Sequence, residues 1–199
     1  MGVATWVIVL VKDFDEAKQR LSPALGTKSR RTLARRNARL AVIAAAAGDH
    51  VLVVTGSDEV AETATSWGAD VLREPHEDGQ NAAAQRGIEY AQARGAGAVL
   101  LLSSDLPLVT PDAVAGLLRS AARHASPVAV AVPAIGRGGT NALYLRPPDA
   151  VGLHFGDDSL AKFQEDAETR GVKYVVFHSE AMALDLDEPS DLARLSRAV

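Results

Sequence analysis

The chain has no cysteine among its 199 residues. Disulfides, thiol nucleophiles and thiolate metal sites are therefore excluded. It also lacks an excess of positive charge, with a formal net charge of -4. That argues against a nucleic-acid partner, which would favour a basic stripe, but leaves a small anionic ligand open. No apolar run reaches the length of about 20 residues that spans a bilayer. No basic segment precedes the first apolar run and no cleavage signal follows it. The expectation is a cytoplasmic protein with no membrane partner. A G-x-S-x-G nucleophile elbow is missing, and so is a glycine-rich turn after the first strand. Neither a hydrolase triad nor a P-loop or dinucleotide fingerprint applies.

What is present is an ordinary soluble balance, 47% apolar and 23% charged, in a length that suits one domain over residues 1–199. The most informative stretch runs Val99-Leu100-Leu101-Leu102-Ser103-Ser104-Asp105-Leu106-Pro107. Four apolar residues predict a strand buried on both faces. Pro107 lacks a backbone N–H and restricts Leu106, so the strand ends there. Thr110-Pro111 reads as a helix cap and first helical position. Asp105 thus stands at the carboxyl end of a buried strand, where ligands bind in open α/β sheets. It either accepts backbone N–H groups in that turn or faces a ligand.

Strands are also expected at 4–11, 50–55, 69–73, 127–133 and 172–177, with helices at 27–47, 56–67, 82–94 and 111–124. Alternation of strand and helix with short connections predicts a doubly wound, mostly parallel sheet. The first strand runs into a loop carrying Lys12, Lys18 and Arg20, either a phosphate-facing loop or a solvated one with Glu16 and Arg20 paired. On the helix at 27–47, Lys28, Arg30, Arg31, Arg35, Arg36 and Arg39 read mainly as a solvated face. Leu33, Leu40 and the alanines form its inward stripe.

Three further places carry chemistry. Gly79-Gln80-Asn81 precedes a helix whose first N–H groups are open to an anion; Asn81 either caps that helix or meets a ligand. Gly138-Gly139-Thr140-Asn141 reads either as a close backbone approach with side chains able to bind oxygen anions or as an ordinary turn between strands, and the strand after it suits the antiparallel one of a mixed sheet. Phe155-Gly156-Asp157-Asp158-Ser159 opens another helix, by capping or by seating an anion. Near the end, Ala183-Leu184-Asp185-Leu186-Asp187-Glu188-Pro189 puts two carboxylates two positions apart. In extended chain they share a side, with Leu184 and Leu186 turned to the core. Two such carboxylates suit Mg²⁺ shared with substrate phosphates, or simply a turn and cap.

Taken in order, Lys12 to Leu21 (Lys-x-Phe-x-x-Ala-Lys-x-Arg-Leu), Gly79-Gln80-Asn81, Ser104-Asp105-Leu106-Pro107, Gly138 to Leu143, Phe155-Gly156-x-x-Ser159 and Asp185 to Leu192 resemble the guanylyltransferases of coenzyme F420 biosynthesis, the CofC/FbiD family. That family lies within the molybdenum-cofactor-guanylyltransferase-like nucleotidyltransferases. The resemblance implies a single-domain, three-layer α/β/α Rossmann-like nucleotidyltransferase fold with a mostly parallel mixed sheet. It implies GTP, Mg²⁺ and a small phosphorylated carboxylate: 2-phospho-L-lactate, phosphoenolpyruvate or 3-phosphoglycerate. By the same resemblance Asp105, Asp185 and Asp187 match metal carboxylates, and Lys12, Lys18 and Arg20 face the GTP phosphates. Lys18, Arg20 and Asp105 would act in catalysis. Gly79 and Asn81 lie near the nucleoside, while Thr140, Asn141, Gly156 and Ser159 hold the acceptor. A homodimer is compatible with the family.

The chain departs from the family pattern at Val11, where proline is usual, at Gln80, where leucine is usual, and at Phe163, where a histidine normally helps to order the acceptor side. Two other readings stand beside this one: a related nucleotidyltransferase with another acceptor or nucleotide, and a non-catalytic nucleotide-binding module.

Overall fold

The computed structural model describes residues 3–76, 78–136 and 138–198, the last by its backbone alone. Glu77 and Arg137, in two of the turns read above, lie outside the described residues. The strands are β1 (Thr5–Leu10), β2 (His50–Thr55), β3 (Asp70–Arg73), β4 (Ala98–Ser103), β5 (Val128–Pro133), β6 (Thr140–Arg146) and β7 (Lys173–Val176). The helices are α1 (Thr27–Ala45), α2 (Asp58–Ser66), α3 (Gln80–Gln92), α4 (Pro111–Ala122), α5 (Ser159–Thr169), α6 (Glu180–Ala183) and α7 (Pro189–Ala198).

One seven-stranded sheet has the order β3-β2-β1-β4-β6-β5-β7. Its pairings are parallel except for the two made by β6, which runs antiparallel to β4 and β5. The mixed sheet expected from the sequence is therefore present, with one reversed strand. Alternation along the strands sorts side chains onto two faces. Val7, Val9, Leu100 and Leu102 join Ala34, Ala38, Ala41 and Val42 of α1 and Val114 and Leu117 of α4. Trp6, Ile8, Leu52, Val54 and Leu101 meet Ala84 and Ile88 of α3 and Phe163 of α5 on the other. Two cores around one sheet make three layers. Among the described residues no helix is long and apolar enough to cross a membrane.

Short side chains allow close helix–sheet approach. On α1 the alanines are buried, while Leu33 and Leu40 are only half-buried, so the inward stripe is narrower in bulk than the leucines suggested. Arg30 departs from the solvated face: it is 8% exposed, and its Nη1 donates to Gln19 Oε1 at 2.7 Å. Lys28, Arg35, Arg36 and Arg39 are exposed as expected.

β4 ends where Ser103 begins to emerge, and Thr110 caps α4 as read: its Oγ1 accepts from Ala113 N at 3.2 Å with Pro111 following. The helix α6 is an element that the sequence reading did not anticipate. It is one turn of Glu-Ala-Met-Ala, too short to show a period. Replacing Thr110 with Ala removes that cap and should lower stability by about 0.5–2 kcal/mol, measured as a denaturant midpoint shift with an unchanged slope.

Candidate active site

The parallel strands all point their carboxyl ends at one rim, and a crevice of about 700 Å³ opens there. That lies within the range of about 300–1,000 Å³ of small-molecule sites. The loop after β1 forms one wall. Phe14 and Leu21, at 1% and 0% exposure, pin it to the core. Asp13 accepts from Ser57 Oγ at 2.6 Å and from Asp15 N at 2.8 Å, and the Ser57 bond foremost holds its carboxyl below the usual range. Arg31 reaches Asp15 at 2.6 Å and Glu59 at 2.5 Å. Lys18 has φ 62°, a left-handed conformation rare outside glycine. With that twist its side chain enters the crevice wall, only 7% exposed, and Nζ lies 2.8 Å from Asp105 Oδ2.

Asp105 is fixed from several sides. Ser103 Oγ donates to its Oδ1 at 2.9 Å. Its backbone carbonyl accepts from Leu186 N at 3.1 Å. That bond seats the Asp185–Asp187 segment beside the end of β4. Leu184 and Leu186 are buried at 5% and 0% exposure, and the two aspartates alternate with them at the crevice. The extended geometry read from the sequence is thus found. Asp187 Oδ2 pairs with Arg20 Nη1 at 2.9 Å, not Glu16 with Arg20. Asp191, fully buried, accepts from Asp187 N at 3.0 Å and Glu188 N at 2.8 Å, so the first turn of α7 holds the carboxylate strand.

The opposite wall comes from the start of β6 and of α5. Ser159 Oγ and Thr140 Oγ1 stand 3.1 Å apart, both nearly buried. Gly156 has φ +123° and open space where a side chain would be. The close approach foreseen for the glycine turn is at Gly138, where an added Cβ would lie 3.0 Å from Asp158 Oδ1. The cap position of α5 is Asp158, which makes no side-chain capping bond, so of the two readings of this turn side-chain capping is not the one seen.

Lys12, Lys18, Arg20, Gly79, Asp105, Thr140, Asn141, Gly156, Ser159, Asp185 and Asp187 all line this one crevice. Asn81 does not. It lies inside α3, whose cap position is Gly79, and it clamps the Phe155 backbone: Oδ1 accepts from Phe155 N at 2.8 Å and Nδ2 donates to Phe155 O at 3.1 Å. Asn141 is also largely a brace. Its Nδ2 donates to the carbonyls of Met182 and Ala183 at 2.9 and 3.0 Å, holding the turn that leads into Asp185. Lining residues to which the sequence reading gave no role of their own include Phe14, Phe155 and Glu74. Phe14 was visible as an apolar residue inside a polar loop; Glu74 carried no signal beyond the end of a strand.

Phe163 requires a correction. It does not face the acceptor side of the crevice; it is fully buried in the core. Its ring packs edge-on against Phe155 and His154, with centroids 5.2 and 5.5 Å away. It therefore supports the Phe155-Gly156 turn from beneath. Beside it Asp166 Oδ2 accepts from Gly152 N at 2.6 Å and lies 3.1 Å from His154 Nε2, while Oδ1 accepts from Arg170 Nε at 2.7 Å. Burial pushes the Asp166 carboxyl up, but the bonds from Arg170, Gly152 and His154 outweigh it and leave it at about 2, down from 3.8.

A Mg²⁺ ion takes oxygen ligands and usually binds through one or two carboxylates, waters and substrate phosphates. Three aspartates line one rim, with Asp185 and Asp187 on the segment that the Leu186–Asp105 backbone bond seats beside Asp105, and their oxygens are of the kind such an ion takes. Among the described residues no group of three His, Cys, Asp or Glu side chains forms a ready-made metal cluster.

With this geometry in hand, comparison with known proteins gives the family. Residues 5–196 match the family model "Guanylyl transferase CofC like". The chain belongs to that family of nucleotidyltransferases. It is 41% identical over 195 residues to a phosphoenolpyruvate guanylyltransferase of Rubrobacter xylanophilus, covering 97% of this chain and 94% of the relative. It is 34% identical to a 2-phospho-L-lactate guanylyltransferase of Methanothermobacter thermautotrophicus, covering 96% and 83%. A nucleotidyl transferase structure from the latter organism shares the fold, with a TM-score of 0.66 at 19% identity over 99% of this chain and 98% of the other.

Two outcomes follow from the support beneath the crevice. Phe163→His should lower stability by about 1–3 kcal/mol by burying an imidazole among apolar groups, with the ranking of acceptors in a turnover assay unchanged. The folded Asp166 pKa is depressed, so its contribution is complete above about pH 5 and is lost progressively as pH falls through about 2 toward about 1. In chemical denaturation, the gap between wild type and Asp166→Asn should therefore be widest above about pH 5 and narrow progressively down to about pH 1.

Proposed function

We propose that this chain transfers the GMP group of GTP to a small phosphorylated carboxylate, phosphoenolpyruvate foremost, with release of pyrophosphate, as a step of coenzyme F420 biosynthesis. The carrying observation is the single crevice with cations and carboxylates on one wall and the Thr140–Ser159 hydroxyl pair on the other. The name of the 41% identical relative supports the choice of acceptor. We take residues 1–199 as one nucleotidyltransferase domain acting in the cytoplasm.

Lys12, Lys18 and Arg20 would meet the triphosphate. The Arg20–Asp187 pair is exposed on the arginine side, 71%, and an exposed pair of this kind holds little energy. Arg20 is therefore able to exchange its carboxylate for a phosphate. Lys18 is held by its twisted backbone and by Asp105, so its charge is placed before substrate arrives, an electrostatic preorganisation. Thr140, Ser159 and the open face of Gly156 would receive the acceptor. The acceptor phosphate has a second pKa of about 6 and is mostly ionised near neutral pH, so no strong base is needed. Its oxygen attacks the α-phosphorus, the bond to the β-phosphate bridging oxygen breaks, and pyrophosphate leaves with that electron pair. Asp105, Asp185 and Asp187 would hold Mg²⁺, which when bound neutralises phosphate charge and orients the displacement.

The test is pyrophosphate release from GTP with Mg²⁺ and each of the three phospho-acids. Turnover with phosphoenolpyruvate is expected to be fastest, and no release with any acid by folded protein overturns the proposal. Lys18→Ala should lower turnover by about 100-fold or more, the scale of losing one preorganised contact. Asp105→Asn, which keeps the shape and removes the charge, should cost at least as much in turnover and should also lower the melting temperature, because the poorly solvated Lys18 ammonium loses its counter-charge.

A further inference from the structure

The crevice has a second end that the chemistry above leaves unassigned. Glu74 follows β3, the edge strand, and lines the crevice while only 9% exposed. β3 and β4 are three strand spacings apart in the sheet order, about 14 Å. That sideways separation between the ends of β3 and β4 is on the scale of a nucleoside, and Glu74 and Asp105 line the same crevice. The lining there includes the apolar side chains of Leu10, Val54 and Ala83. Gly79 adds a surface without a side chain, at φ +93°.

Charge is also arranged there. Arg86 Nη1 donates to Glu74 Oε2 at 2.7 Å, and Arg86 Nη2 binds Asp78. The His76 carbonyl takes a further Arg86 bond at 3.3 Å. One guanidinium thus serves two carboxylates, so Arg86, Glu74 and Asp78 together carry a formal charge of one negative. The arginine fixes the Glu74 side chain without using up its capacity, because a carboxylate has about four lone-pair sites on its two oxygens.

We propose that Glu74 reads the base of the nucleotide, accepting the N1–H and exocyclic N2–H of guanine while the base lies on the Leu10–Val54–Ala83 wall. Adenine presents an acceptor at N1 and would face the carboxylate with a lone pair. Hypoxanthine keeps N1–H and lacks the 2-amino group, so it would lose one of the two bonds. This rests on the guanylyl-transfer reading above, since it assigns one end of the same crevice. Arg86 is a positioning residue for Glu74.

Calorimetric titration of GTP, ITP and ATP, each with Mg²⁺, tests it on wild type and Glu74→Gln. Glutamine keeps an oxygen for Arg86 and replaces the second acceptor with a donor. Wild type should bind GTP more tightly than ITP, and ITP more tightly than ATP. Glu74→Gln should weaken GTP by about 10-fold or more, the scale of hydrogen bonds to a charged group, and bring the GTP-to-ITP ratio close to one. A residue that only braced the loop would weaken all three nucleotides alike, and an unchanged GTP-to-ITP ratio in the variant overturns the proposal. Should Glu74→Gln fail to fold, the wild-type ranking decides: equal affinity for GTP and ITP overturns it. These binding outcomes do not depend on turnover, so a chain that binds GTP selectively yet releases no pyrophosphate would sink the reaction and leave Glu74 standing.

Discussion

The contact between Lys18 and Asp105 is the constraint on which the crevice depends. It joins a loop after the first strand to the end of the fourth, 87 residues apart in sequence. Lys18 has little water around it, and a poorly solvated ammonium needs a partner. Asp105 provides one, and it is itself held by Ser103 and, through its carbonyl, by Leu186. The pair thereby ties three chain segments to one point of the rim. The left-handed backbone at Lys18 is a local cost of about 1–3 kcal/mol that persists because Phe14, Leu21, Arg30 and Arg31 over-determine the loop.

Around that point the polar side chains divide into those that reach the crevice and those that hold them. Asn81 secures Phe155, Asn141 secures the turn before Asp185, and Asp191 secures the backbone of Asp187. Each satisfies backbone groups that would otherwise stay unpaired at a loop edge. Phe163 does the corresponding apolar work under Phe155. Rigid elements supply the anchors while loops supply the chemistry, the arrangement expected when a site must be placed to within a fraction of an ångström.

Much of this was legible in the sequence because it rests on local rules. Four apolar residues ending in Ser-Ser-Asp-Leu-Pro fix both a strand and the place of Asp105, and the Leu-Asp alternation at 184–187 announces which side faces the core. Thr110-Pro111 marks a helix start by chemistry alone. The partners of Asn81, Asn141 and Asp191 were not legible, since an amide before a helix reads as a cap or a ligand contact, and one after a glycine turn as a ligand contact, until tertiary structure offers backbone groups nearer. Arg30 looked like its exposed neighbours because helical spacing says nothing of a loop folding back over it. Phe163 was misplaced by analogy of position: a side chain one layer under a site shares its motif without touching it.

The reversed strand β6 has a consequence for divergence. Six strands deliver their last residues to the rim, whereas β6 delivers its first, Thr140. On the proposed reading, the donor is gripped by strand endings and the acceptor by a strand beginning and the helix that follows. The two grips are thus carried by separate stretches of chain. Retailoring residues 134–140 and 152–159 would exchange one phospho-acid for another while the nucleotide's seat stays as it is. A fold wired in this way can vary what it modifies while keeping what it modifies it with.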